Sequence, residues 1–254
     1  MLLVLDIGNT QTSFGIFAEG KLKHHWRSET QSSRTADEYA SFLFPLLAHA
    51  GLSPTEIAGI ALCSVVPPVS ETFKSFCEKY LRLEPFLVNS HSKLGFKVLV
   101  DSPSEVGADR LSNTAYAVRF LKLPAIVVDL GTATTFDVVS ANKEYLGGII
   151  LPGVRMGAES LSSKTSLLPM IDVSFPKKAI GKNTITCIQS GVLFGYTDAI
   201  DGLLVRLQEE LKASCEIALT GGLASLFHSQ IKSASRLLPD LTLEGTALLF
   251  EQNR

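Results

Sequence analysis

The 254-residue chain has no excess charge of either sign. Twenty-three Lys and Arg face 25 Asp and Glu, for a net charge of −2. That balance supplies no basic field for counterion release, so nucleic acid is not expected as a partner. No apolar run approaches the roughly 18 residues that suggest a membrane span. Asp6 breaks the first apolar stretch too early for a secretory leader. No membrane partner is therefore expected. Only four cysteines occur (Cys63, Cys77, Cys187 and Cys215), scattered and without a C-x-x-C pair. They predict reduced, mostly buried thiols in a cytoplasmic protein. The five histidines show no metal-ligand spacing, which argues against structural zinc. Low-complexity tracts are absent too. What is present is apolar material, 46% of the residues, enough for one large domain or two of roughly 125 residues.

The most informative feature is an internal echo. Residues 4–16 read VLDIGNTQTSFGI, and residues 127–139 read VVDLGTATTFDVV. Asp6-Ile7-Gly8 aligns with Asp129-Leu130-Gly131, and after a one-residue slip Thr12-Ser13-Phe14 aligns with Thr134-Thr135-Phe136. Each segment predicts a strand, a polar glycine-containing turn and a second strand. Two homologous halves follow, with a break near the 104–123 helix; we place them at 1–115 and 116–254.

Between the hairpins the pattern alternates. Residues 35–50 predict a helix with Thr35 and Glu38 at capping-box spacing, kinked or interrupted at Pro45. Residues 57–66 predict a buried strand stopped by Pro67-Pro68, followed by a helix capped by Ser70 and running to about 81. Another strand is expected at 85–89 and a helix from Ser104 to about Leu123. A strand over 147–152 should pass through Pro152-Gly153 into a helix. A long helix is expected over 183–212 and a strand over 216–222 that ends in Gly221-Gly222. The alternation reads as α/β, with sheets covered by helices. Gly191, Gly195 and Gly202 interrupt the helix propensity of the long helix, where each costs roughly 0.5–1 kcal/mol relative to alanine. Close intramolecular packing or a dimer interface would offset that cost.

A turn such as Asp6-Ile7-Gly8-Asn9-Thr10 concentrates backbone N–H groups under a glycine, a concave shape suited to phosphate oxygens. Asp6 at the strand end fits the water shell of a phosphate-bound Mg²⁺. The second turn, Asp129 to Thr132, would face the first, with a nucleotide in the interdomain cleft.

This constellation resembles the actin, sugar-kinase and Hsp70 superfamily, whose ATPase fold (ribonuclease H-like) has two similar halves of mixed sheets flanked by helices. Within it, DIGNT at 6–10, EVGADR at 105–110, DLGTATT at 129–135, GGIILPG at 147–153 and GKNT at 181–184 resemble type III pantothenate kinase in order and spacing. The likeness covers nearly the whole chain. It implies ATP-dependent phosphorylation of the primary hydroxyl of pantothenate, the first step of coenzyme A synthesis. By the same resemblance Asp6, Ile7, Gly8, Asn9, Thr10, Gln11, Thr12 and Ser13 form the phosphate loop, with Asp6 holding Mg²⁺ through water. The resemblance implies that Asp109 is the catalytic base. Gly107, Ala108, Asp109 and Arg110 bind pantothenate, as does Thr184 at the interface of a homodimer. The resemblance further implies a monovalent cation (K⁺ or NH₄⁺) on Asp129, a nucleotide contact at Thr132 and an approach of Gly221-Gly222 to adenosine.

One position departs from the family pattern. Val100 stands where the family commonly has a pantothenate-contacting tyrosine, and valine offers no phenolic hydrogen bond. Arg110 suits either the pantothenate carboxylate or a structural ion pair with Asp109. Asp109 near a helix start and beside Arg110 is expected to stay ionised. Two further function classes fit the fold: a catalytically weak, nucleotide-binding regulatory protein, and a kinase of another small hydroxy acid, which Val100 would favour.

Overall fold

The computed structural model describes residues 1–234 and 236–254. They divide into two compact units, Met1–Arg119 with Leu241–Arg254, and Phe120–Asp240.

Unit 1 opens with the antiparallel strands β1 (Leu2–Ile7), β2 (Gln11–Ala18) and β3 (Lys21–Glu29), followed by α1 (Ala36–His49). β4 (Gly59–Ser64) returns parallel to β1, and α2 (Pro67–Phe76), the short strands β5 (Phe86–Leu87) and β6 (Lys97–Val98), and α3 (Ala108–Phe120) follow. The sheet order is β3-β2-β1-β4-β5. Both faces of β1 are covered, which is why it reads as an unbroken apolar run. Leu3, Leu5 and Ile7 face a core built with Tyr39, Leu43 and Leu47 of α1 and Phe73 and Phe76 of α2. Phe73 sits at its centre, with its ring 4.3 Å from Tyr39, 5.4 Å from Phe76 and 5.8 Å from Phe14.

Helix starts follow their capping chemistry. The Thr35–Glu38 capping box forms as expected, with Glu38 N donating to Thr35 Oγ1 at 3.3 Å and Thr35 N to Glu38 Oε2 at 2.7 Å. α1 then runs unbroken through Pro45, an exposed residue. There the carbonyl that the missing N–H leaves unpaired can turn to water. α2 begins at Pro67, not Ser70: the two prolines occupy the first helical positions, where an N–H is not needed. Ser70 instead bonds back to Ser64 Oγ at 2.7 Å and to the Val66 carbonyl. α3 starts at Ala108, later than Ser104, because Pro103–Glu105 forms a separate 3-10 turn and Val106 is extended.

Unit 2 repeats the plan. β7 (Ala125–Leu130), β8 (Ala133–Val139) and β9 (Glu144–Pro152) are antiparallel, and β10 (Glu216–Thr220) pairs parallel with β7. Between them lie α4 (Val154–Lys164) and α5 (Thr184–Leu211), and after β10 come α6 (Ala224–Phe227) and β11 (Arg236–Leu237). Its strands run β9-β8-β7-β10-β11, the order of unit 1 strand for strand. The sequence echo is thus a topological repeat. Its core joins Ile126, Val128 and Leu130 of β7 to Val192, Leu193 and Ile200 of α5.

The chain ends in α7 (Leu241–Gln252), which belongs to unit 1. This corrects the expected 1–115 and 116–254 division. Leu243 and Ala247 of α7 pack on Leu2, Val4 and Ala61, the sheet face that α1 and α2 leave bare. Gly245 lets α7 meet α3 closely, since a Cβ there would lie 1.9 Å from the Ser112 carbonyl oxygen.

Candidate active site

In unit 1 the turn between β1 and β2 is closed by Gly8 N donating to the Gln11 carbonyl at 3.0 Å. Asn9, Thr10 and Gln11 are exposed, and Thr30 N anchors the Thr10 carbonyl at 2.9 Å. Register separates the side chains of the stretch. Ile7 and Thr12 are partners on the α1/α2 face, both fully buried, and Thr12 Oγ1 pairs with Thr30 Oγ1 at 2.8 Å. These two positions can offer a ligand only backbone groups. Asp6 and Ser13 are partners on the opposite face, half-buried.

Asp6 is the electrostatic centre of the unit. Desolvation raises its pKa from the usual 3.8 to about 7, and the charge of Asp109 adds to the rise. The Cys63 thiol, Arg27 and His25 oppose it. Asp109 is raised too, mainly by burial, against the lowering effects of the Arg110 backbone N–H and guanidinium. Burial outweighs the arginine expected to favour the ionised form, so the Asp109 pKa moves up and not down. Arg110 N bonds Asp109 Oδ1 at 2.8 Å. Gly107 is fixed by the same carboxylate: a Cβ on it would lie 2.4 Å from Asp109 Oδ1. Ala108 is buried, Arg110 is half-buried, and Val100 lies half-buried between β6 and the Pro103–Glu105 turn.

Cys63, missed by sequence reasoning, is Asp6's neighbour on β4 and fully buried. Burial and the two aspartates push its thiol well above the usual 9.0, so it stays S–H and can donate. Ser112 and Thr246 hydroxyls bond it from α3 and α7. Thr246 Oγ1 in turn lies 2.9 Å from Ser112 Oγ, and Thr242 Oγ1 donates to Asn113 Oδ1 at 2.8 Å. All four hydroxyl and amide residues are buried. The only sequence signal was a cysteine amid apolar residues, which looked like packing.

In unit 2 the equivalent turn is closed by Gly131 N donating to the Ala133 carbonyl at 3.1 Å, one residue tighter than its counterpart, which locates the slip in the sequence echo. Asp129 is half-buried and Thr132 exposed. Asp129 has Thr135 and Thr220 as register partners. Two glycines let backbone crowd this turn: a Cβ on Gly153 would lie 2.0 Å from the Thr132 carbonyl oxygen. At Gly221, whose φ is +92°, it would lie 2.3 Å from Asp129 Oδ1. Thr184 is exposed, opens α5 behind its cap Asn183, and lines an open groove of about 550 Å³ between α4 and α5. Gly191 and Gly195 face that groove, and no described atom beyond their own helix lies within 4 Å of where their Cβ would be. Intramolecular close approach therefore does not explain them.

Among the described residues no three His, Cys, Asp or Glu side chains gather as a metal centre. The carboxylates still suit hard cations. Asp6 holds its proton to about pH 7 beside a second acid, a pairing that a cation carried in on phosphate would relieve. Asp129 with threonine partners is likewise an oxygen donor set.

Residues 2–206 match the model of the family described as type III pantothenate kinase. Three solved structures are similar in fold. A Campylobacter jejuni protein, described as a proposed Baf family transcriptional activator, is 20% identical with a TM-score of 0.60, covering 99% of this chain and 98% of that one. An ethanolamine utilization protein, EutJ, from Carboxydothermus hydrogenoformans is 15% identical with a TM-score of 0.56, covering 97% and 89%. A Porphyromonas gingivalis protein, described as a proposed N-acetylglucosamine kinase, is 13% identical with a TM-score of 0.54, covering 100% and 99%. The two mixed sheets with flanking helices are those of the actin-like ATPase fold.

Proposed function

Because the chain belongs to the type III pantothenate kinase family, we propose that it transfers the terminal phosphoryl group of ATP to the primary hydroxyl of pantothenate. The observation that carries this reading is the pair of desolvated carboxyl groups, Asp6 and Asp109, beside the glycine turn at 8–11. The exposed turn and Ser13 offer donors to the phosphates. The substrate hydroxyl oxygen forms a bond to the terminal phosphorus while the bond to the bridging oxygen breaks, and ADP leaves with that electron pair. Asp109 accepts the hydroxyl proton. Its raised pKa makes it a stronger base than an exposed aspartate, which suits a proton that moves late in a loose transition state.

Asp6 would hold Mg²⁺ through water, and Asp129 with Thr132 a monovalent cation. Bound there, the cations would neutralise charge on the phosphates. Gly107, Ala108 and Arg110 would shape the pantothenate site, with Val100 as an apolar wall and Arg110 on the carboxylate. Thr184 would contact substrate across a homodimer. Leu167, Met170 and Ile180, 90%, 60% and 77% exposed, leave unit 2 an uncovered apolar surface in the segment joining α4 to α5, which supports that reading. The enzyme would work in the cytoplasm, where its four free cysteines stay reduced. No helix among the described residues is long and apolar enough to cross a membrane.

The test is ADP release from ATP and Mg²⁺ with and without pantothenate, in K⁺ and then Na⁺ buffer, with light scattering on the same sample. Pantothenate-dependent, K⁺-stimulated turnover by a dimer is expected. A folded dimer that binds ATP yet turns over nothing would overturn the reading.

A further inference from the structure

The register of unit 1 places Arg27, Ser13, Asp6 and Cys63 side by side on four consecutive strands, all on one face. Neighbouring strands are about 4.8 Å apart, so the Arg27 backbone lies roughly 10 Å from that of Asp6, within the span of an extended arginine and a phosphate group. α7 covers this face over the rows of Leu2 and Val4 and reaches the Asp6 row at its Cys63 end, through Thr246. Exposure rises along that row away from α7, from buried Cys63 through half-buried Asp6 and Ser13 to exposed Arg27.

Arg27 is not consumed by the fold. Its guanidinium bonds His25 Nε2 at 3.3 Å, and among the described residues no carboxylate is salt-bridged to it. Glu29, two residues on and on the same face, accepts from Gln31 instead. The repeat provides an internal control: the position matching Arg27 in unit 2 is Ile150, paired with Thr135 beside Asp129, and it is 64% exposed. The architecture works with an uncharged residue there, so the cation in unit 1 answers to chemistry.

Resting on the phosphoryl-transfer reading of Asp6 and Asp109, we infer that Arg27 is a phosphate-binding residue, its guanidinium reaching over Ser13 to the terminal phosphate of the bound nucleoside triphosphate. Asp6 then lies between a cationic arm on the β3 side and Asp109 on the α3 side. The charge layout agrees: the Arg27 guanidinium stands on the β3 side of Asp6 and the Asp109 carboxyl on the α3 side. A triphosphate is attracted to the first side and repelled by the second, so the donor phosphates lie toward β3 and the acceptor hydroxyl toward Asp109. A guanidinium fork matches two phosphate oxygens and takes no proton during transfer. His25 braces it from the neighbouring row.

The experiment compares wild type, Arg27→Gln and Arg27→Lys by calorimetry with a non-hydrolysable ATP analogue, ADP and adenosine, and by steady-state kinetics. Arg27→Gln is expected to weaken analogue binding about 10- to 100-fold, the scale of a lost charged hydrogen bond. Adenosine binding and the KM for pantothenate should stay within a factor of two, and Arg27→Lys should recover part of the loss. Analogue affinity and kcat both unchanged in Arg27→Gln would overturn the inference, as would equal losses for the analogue and adenosine. If wild type binds the analogue but does not phosphorylate pantothenate, the substrate reading fails, and the calorimetric comparison still decides the role of Arg27.

Discussion

Asp6 should weaken the ligand-free protein, and its removal should strengthen it. Asp6 binds its proton in the fold up to about pH 7, against a usual value of 3.8. Between those pH values the native state holds a proton that the unfolded chain has released, so stability falls as pH rises through this window. A shift of this size corresponds to about 4 kcal/mol at neutral pH if all of it is expressed. Partial solvent access to the half-buried residue lowers that, and we expect Asp6→Asn to gain about 2 kcal/mol, a rise of about 4–8 °C in Tm for a chain of this size. The amide keeps an acceptor for the Cys63 thiol and ends the repulsion with Asp109. Scanning calorimetry of the ligand-free proteins at pH 4 and pH 7.5 tests this. The gain should be large at pH 7.5 and nearly absent at pH 4, close to the unfolded pKa. An equal gain at both pH values, or a loss at pH 7.5, would refute the electrostatic reading of the site.

Asp109→Asn should lower kcat by roughly 10²–10⁴-fold, the usual range for a lost general base, with circular dichroism unchanged; turnover within a factor of two of wild type would remove Asp109 from the chemistry. Gly221→Ala forces a Cβ against Asp129 Oδ1 and Leu130 backbone at a positive φ, so it should cost about 1–3 kcal/mol in chemical denaturation. Gly245→Ala places a methyl against the Ser112 carbonyl. It should separate α7 from α3 at a similar cost of about 1–3 kcal/mol, and urea midpoints compare the two variants directly. Phe73→Ala empties the centre of the unit 1 aromatic cluster and should cost about 3–5 kcal/mol, read the same way.

Much of the fold was legible because its signals are local. The two D-[IL]-G turns are covalently continuous hairpins, and the predicted 183–212 helix matches Thr184–Leu211 within a residue at each end. The Thr35–Glu38 box spans only three residues. The misreadings came from choices settled elsewhere. Ser70 looks like a cap until the prolines before it claim the first turn. α7 carries no sequence mark of the sheet it returns to, whose first strand ends at Ile7 while α7 begins only at Leu241. The site divides the same way. Asp6, Asp109 and the glycine turns announce themselves by motif. Cys63 and Arg27 gain meaning only from strand register, which places them beside Asp6 although 57 and 21 positions separate them from it along the chain.

The late position of α7 also shapes how the protein is made. A ribosome translating from the N-terminus releases all of β1 to β5 long before Leu241 appears, and the 121 residues of unit 2 come in between. At ordinary elongation rates of 5–20 residues per second, that interval is on the order of ten seconds. Throughout it, Leu2, Val4 and Ala61 have no α7 to cover them. The nascent N-terminal half is thus an unfinished apolar surface, while the second half, continuous in sequence, can close first. Vectorial synthesis would therefore reverse the order of the repeats, with the later-made unit completed before the earlier one.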